Sequence, residues 1–80
     1  MTIQLLLYST SHCHLCEQAQ ALLARVVHHC EIEFTVVEIA ADAALLTLYE
    51  VKIPVLKSID TDVEIDWPFT VDDIYRLIHN

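Results

Sequence analysis

The sequence predicts an α/β fold with the element order β-α-β-α-β-β-α, a four-stranded mixed sheet flanked by helices. Three observations predict it. Apolar runs of strand length alternate with stretches whose apolar residues recur every three or four positions. One helix-length crossover joins the first two strand candidates, which suits a parallel pair. The last two strand candidates flank a short polar turn and read as a hairpin. With no repeat and no low-complexity linker, residues 1–80 are expected to form one domain. A domain of this size buries only about 60–65% of its unfolded surface, and the 55% apolar composition supplies the core it needs.

Residues 3–8, Ile-Gln-Leu-Leu-Leu-Tyr, are an almost continuous apolar run too short for a helix, as expected of a strand covered on both faces. Ser9-Thr10-Ser11 ends it. From Cys13 to His29, Leu15, Ala19, Leu22, Leu23, Val26 and Val27 recur at helical spacing among helix formers. Glu33 to Ile39, rich in β-branched and aromatic residues, is the second strand. Asp42 is placed to cap a short helix through Tyr49 carrying Leu45, Leu46 and Leu48, and Ile53-Pro54 stops it. Residues 54–58 and 63–67 form the hairpin around Asp60-Thr61-Asp62. Thr70 followed by Asp73 has the spacing of a capping box opening a last helix, with Val71, Ile74, Tyr75, Leu77 and Ile78 inward.

Composition excludes several function classes. Twelve acidic residues against four basic ones give a formal charge of −8, and Arg25, Lys52, Lys57 and Arg76 form no cluster, so nucleic acid is not an expected partner. No apolar stretch is long enough to span a membrane. Met1-Thr2-Ile3-Gln4 carries neither a basic leader nor a following cleavage site, so a cytoplasmic, reducing location is expected. There a close cysteine pair is redox-active or metal-binding rather than a structural staple.

Cys13 and Cys16 carry that expectation. Cysteines three apart at a helix start lie on one face within about 5–6 Å, which is disulfide reach without backbone movement. Cys13 sits where free helix N–H groups and the dipole favour a thiolate, the attacking species in disulfide exchange, so it is the expected nucleophile. His12 and His14 flank it, and a protonated imidazole there would lower the thiol pKa; two solvated histidines at a helix start are the plain structural alternative. Zinc sites use the same cysteine spacing, and His28, His29 and Cys30 add further ligand types. Twelve helical steps from Cys16 to His28 span about 18 Å, which separates the two groups. The plain reading of His28 and His29 is a helix C-terminus complementing the dipole, and of Cys30 a spare thiol in a turn. No metal is expected.

The strand followed by Tyr8-Ser9-Thr10-Ser11-His12-Cys13-His14-Leu15-Cys16 opening a helix, with Ile53-Pro54 entering the third strand, resembles the glutaredoxin and thioredoxin superfamily over essentially the whole chain. Trp67-Pro68-Phe69 ahead of the last helix resembles a compact glutaredoxin-like branch. The resemblance implies a thioredoxin fold and a thiol–disulfide oxidoreductase in which Cys13 attacks and Cys16 resolves. It also implies that Pro54 is cis, that Ile53 and Pro54 line the substrate site, and that Trp67 borders it, although residues such as Trp67, Pro68 and Phe69 more often serve strand-end core packing. Protein or small-molecule disulfides are the implied substrates, with glutathione or a thioredoxin-type protein as electron donor.

Two features depart from the glutaredoxin pattern. Thr10 stands where a lysine usually holds the glutathione carboxylate, and Trp67-Pro68-Phe69 replaces a glycine pair in a chain without glycine. Glutathione in the usual geometry is therefore not expected, nor is any tightly bound cofactor, although Asp72 and Asp73 could receive a ligand's amine. The residues His14-Leu15 between the cysteines match neither of the commonest motifs. Two other readings stand beside the enzyme: a non-catalytic partner-binding module using the Trp67-Pro68-Phe69 surface, and a metal or iron–sulfur protein using Cys13 and Cys16.

Overall fold

The computed structural model describes residues 2–79; Met1 and Asn80, and with them the ends of the expected 1–80 domain, lie outside the described residues. Among the described residues the strands and α-helices follow in the expected order: β1 (Ile3–Ser9), α1 (His14–Val27), β2 (Ile32–Glu38), α2 (Ala43–Tyr49), β3 (Val55–Ser58), β4 (Glu64–Asp66) and α3 (Val71–Ile78). The strands form one sheet in the order β2-β1-β3-β4, with β1 and β2 parallel and the other two pairings antiparallel. This is the mixed sheet and element order of a thioredoxin-like fold.

The apolar run Leu5–Tyr8 of β1 follows from its central place. Leu5 and Leu7 point to one face and join Ala19, Leu23 and Val26 of α1 and Ile74, Leu77 and Ile78 of α3 in the larger core. Tyr8 points to the other face, where it meets Ile39, Tyr49 and Val55, with Leu6 and Leu45 packed against them. From Leu5 to Tyr8 the strand packs on both sides, so those positions hold no polar residue and period-two alternation disappears there. The second face is covered by one helix of seven residues, so its core is smaller.

Helix α1 is narrower in its buried stripe than its sequence suggests. Cys16, Ala19, Leu23 and Val26 are buried, whereas Leu15 and Val27 are exposed. Each of those two lies one residue, about 100° of helical turn, from the stripe. Similarly, α2 buries Tyr49 and packs Leu45 but leaves Leu46 and Leu48 in solvent. Strand β2 ends one residue earlier than expected, because Ile39 enters a 3₁₀ turn (Ile39–Ala41) and drops into the smaller core.

The predicted caps are present. The Asp42 carboxylate accepts from the Ala44 and Leu45 amides at 2.8 and 3.3 Å. At α3 both halves of the box form: the Thr70 hydroxyl accepts from the Asp73 amide at 3.2 Å, and the Asp73 carboxylate accepts from the Thr70 amide at 2.8 Å. That second bond, with the Thr70 hydroxyl and Arg76, holds the Asp73 carboxyl below the usual carboxylate range. In the hairpin turn, Asp62 adopts φ 64°, its amide donates to Ser58, and its carboxylate meets Lys57 at 2.8 Å. On the smaller-core face Tyr8 and Tyr49 stack with ring centroids 4.3 Å apart, and the Tyr49 hydroxyl donates to Glu64, tying α2 to the hairpin. That bond, assisted by burial, pushes the Tyr49 pKa well above its ordinary value.

Candidate active site

Strand register assembles the site at one end of the sheet. Ser9, the last residue of β1, pairs with Glu38, the last residue of β2. On the other side Tyr8 pairs with Val55, the first residue of β3, so Pro54 lies beside the β1 exit. Val55 in turn pairs with Asp66 of β4, and the Trp67 amide donates to the Pro54 carbonyl at 3.1 Å. The segment from Thr10 to Cys13 therefore leaves the central strand between Glu38 on one flank and Pro54 and Trp67 on the other. Such a point, where the chain departs from a central strand with neighbours on both sides, is where open α/β sheets hold ligands.

Cys13 is the N-cap of α1, with extended backbone angles (φ −107°, ψ 104°), and its sulfur accepts from the Cys16 amide at 3.2 Å. It is half-buried, while Cys16, one turn into the helix, is 1% exposed. The two are joined as a disulfide with a Cα–Cα separation of 5.2 Å, inside the usual range for such a bond. The Cys13 sulfur thus lies beside the first free amides of the helix.

The other expected residues are distributed around the pair. His12 is exposed and holds φ 60°, the left-handed region that a residue with a Cβ adopts only where its surroundings fix it. His14 is exposed, with Nδ1 3.5 Å from the Glu17 carboxylate, so its charge when protonated is shared with an acid. Neither imidazole hydrogen-bonds Cys13 among the described residues. Ile53 is half-buried and Pro54 fully buried, and both the Ile53–Pro54 and Trp67–Pro68 bonds are cis. Trp67 is half-buried against the larger core and meets Phe69 edge-on at 5.1 Å. Leu15, set between the cysteines, is 45% exposed and adds an apolar side chain to the rim.

Cys30, His28 and His29 lie at the opposite end of α1 from Cys13, about 20 Å along a helix of fourteen residues. Cys30 is half-buried beside Tyr75, whose pKa is raised by burial and by that thiol. Among the described residues, no three His, Cys, Asp or Glu side chains converge as metal ligands, and no helix is long and apolar enough to cross a membrane.

Sequence reasoning missed Glu38. Its carboxylate accepts from the Ser11 amide and hydroxyl at 3.2 and 3.3 Å and from the Ala40 amide at 3.1 Å. The Ala40 amide foremost, then the Thr10 hydroxyl and Ser11, hold its pKa below the ordinary value. A shallow hollow of about 200 Å³ opens beside it, lined by Ser9, Thr10, Ser11, Gln20, Val36 and Glu38. An acid closing a strand opposite a Ser-Thr-Ser segment was the available signal, but only the register places the two together.

A thioredoxin-like sheet with a cysteine pair at the head of its first helix defines a member of the thioredoxin superfamily. The chain belongs to the glutaredoxin-like domain family (DUF836), whose model matches residues 4–79. Two solved proteins share the fold at similar size. The X-ray structure of protein XcR50 from X. campestris has 36% identity and a TM-score of 0.79, covering 94% of this chain and 95% of that one. The solution structure of protein Ne2328 from Nitrosomonas europaea has 29% identity and a TM-score of 0.82, covering 92% and 88%. No match is found among curated proteins.

Proposed function

We propose that this protein is a dithiol thiol–disulfide oxidoreductase. The observation that carries the reading is the asymmetry of the pair: Cys13 caps the helix at the surface with an amide directed at its sulfur, and Cys16 is buried one turn behind it. Family membership and the position of the pair at the end of the central strand support the same reading.

In the reductive direction the Cys13 thiolate attacks one sulfur of a substrate disulfide. That S–S bond breaks, a mixed disulfide forms on Cys13, and the departing thiolate takes a proton from solvent. The Cys16 thiolate, formed by loss of its own proton, then attacks the Cys13 sulfur, closing the intramolecular disulfide and releasing the second substrate thiolate. Two electrons and two protons have passed from the pair to the substrate, and an external dithiol or two equivalents of glutathione restore it. Ile53 and Pro54 border the face from which substrate approaches, and Leu15 and Trp67 add apolar rim that suits a peptide disulfide. His12 and His14 contribute positive charge near the nucleophile when protonated. A reducing cytoplasm is the compartment in which this direction of flow is sustained.

The test is a pair of single variants assayed for reduction of an insulin or low-molecular-weight disulfide with an external reductant. Cys13→Ser abolishes turnover. Cys16→Ser retains the first step and accumulates a mixed disulfide on Cys13, detectable as a mass adduct. Full turnover in Cys13→Ser refutes the reading.

A further inference from the structure

The Glu38 carboxylate is directed at the segment that delivers the nucleophile. Oε1 takes the amide and hydroxyl of Ser11, and Oε2 takes the Ala40 amide. A carboxylate has about four acceptor positions, and Glu38 spends three of them on its own chain. Between Ser11 and Cys13 stands His12 at φ 60°, a conformation that residues with a Cβ avoid unless held. The chain after it enters extended angles at Cys13, and these set the sulfur within reach of the Cys16 amide. Across the register pair Ser9–Glu38, one side chain of β2 thus spans the exit of β1 and holds the turn that aims the sulfur.

We infer that Glu38 is a positioning residue for Cys13: by clamping Ser11 it fixes the left-handed turn at His12 and so keeps the reduced Cys13 sulfur at the N-cap of α1. Its functional meaning rests on the oxidoreductase reading, but the position of the thiol is measurable without turnover.

The clamp and a bare charge act with opposite sign. As a clamp, Glu38 keeps the thiolate beside the helix amides and lowers the Cys13 pKa. As an unscreened anion near a thiolate, it would raise that pKa. The other titratable groups on the surrounding segments are His12 and His14 beside Cys13, Glu17 and the Cys16 thiol in the first turn of α1, and Asp66 paired with Val55 on the opposite flank, where Ile53, Pro54 and Trp67 carry no charge.

The experiment is site-resolved alkylation of the fully reduced protein by iodoacetamide across pH 5–9, read by mass spectrometry so that Cys13 is distinguished from Cys16 and Cys30. Glu38→Ala is expected to raise the Cys13 pKa and slow its alkylation at pH 7 by about three- to ten-fold, corresponding to a shift of half to one pKa unit. Glu38→Gln, which keeps a carbonyl oxygen for Ser11, is expected to restore most of the rate. Ser11→Ala, which loses one of the gripped groups, slows it by about two-fold. Unchanged or faster alkylation in Glu38→Ala overturns the inference, the faster rate identifying Glu38 as a bare charge. Should Glu38→Ala fail to fold by circular dichroism, Ser11→Ala decides, and an unchanged rate there overturns the clamp. Absence of disulfide reduction in the wild-type protein would refute the oxidoreductase reading alone, because alkylation does not depend on turnover.

Discussion

Reduction of the Cys13–Cys16 disulfide is expected to lower the stability of the fold by a measurable amount. The bond joins residues at a sequence separation of 3, which closes a loop of four residues. Chain entropy for such a loop gives about −6 cal/mol/K, equivalent to about 1.9 kcal/mol at 25 °C removed from the unfolded state. The reduced protein recovers part of this, because a Cys13 thiolate at the N-cap interacts with the helix dipole by about 0.3–1 kcal/mol. The net difference is about 0.9–1.6 kcal/mol, and in a domain of this size it moves Tm by about 4–13 °C. The assay is thermal unfolding followed by far-ultraviolet circular dichroism, with and without excess phosphine reductant. The Cys13→Ser/Cys16→Ser double variant serves as the reference for an open pair. The reduced protein and the double variant are expected to melt close together and below the oxidised protein. Equal or higher Tm on reduction refutes the reasoning, because the short loop would then contribute nothing to the folded state.

Other outcomes follow from the same geometry. Leu23→Ala removes a fully buried side chain of the larger core and is expected to cost about 2–5 kcal/mol in denaturant unfolding. Leu15→Ala, at an exposed rim position, leaves stability within about 0.5 kcal/mol and lowers kcat/KM for peptide disulfides more than for small ones. Thr70→Ala breaks the capping box and is expected to cost about 1 kcal/mol. The Tyr49 pKa is raised in the folded state by its bond to Glu64, so that contribution is complete below about pH 10, the unfolded value. It is lost as pH rises beyond that, because the unfolded chain releases the proton that the folded one keeps. Tyr49→Phe should remove this alkaline dependence, as measured by urea midpoints between pH 8 and 11. Asp73 and Glu38 have the opposite sign: their depressed pKa values contribute stability above the unfolded carboxylate range, and it fades as pH falls below about 4. Asp73→Asn should reduce that acid dependence.

Much of this protein was legible because local rules and global fold agree. The helix caps at Asp42 and Thr70 are local hydrogen bonds between neighbours in sequence, and their signals survive into the structure unchanged. The alternation of strand-length and helix-length apolar periods determined the element order. The spacing and placement of Cys13 and Cys16 determined which residues could close a disulfide, since three helical steps bring two side chains to one face.

Tertiary structure decided which apolar residues of a helical stripe are buried and which amino acids surround the pair. Leu15 and Leu48 fit the periodicity but face solvent, because a helix rests on a sheet along a narrow line and neither residue falls on it. Ile39 leaves the expected strand because the smaller core has room for it below a 3₁₀ turn. Glu38 and Ser11 are 27 positions apart and share no local pattern. Only the parallel register of β1 and β2 brings them into contact, and register is set by which faces the whole sheet can bury.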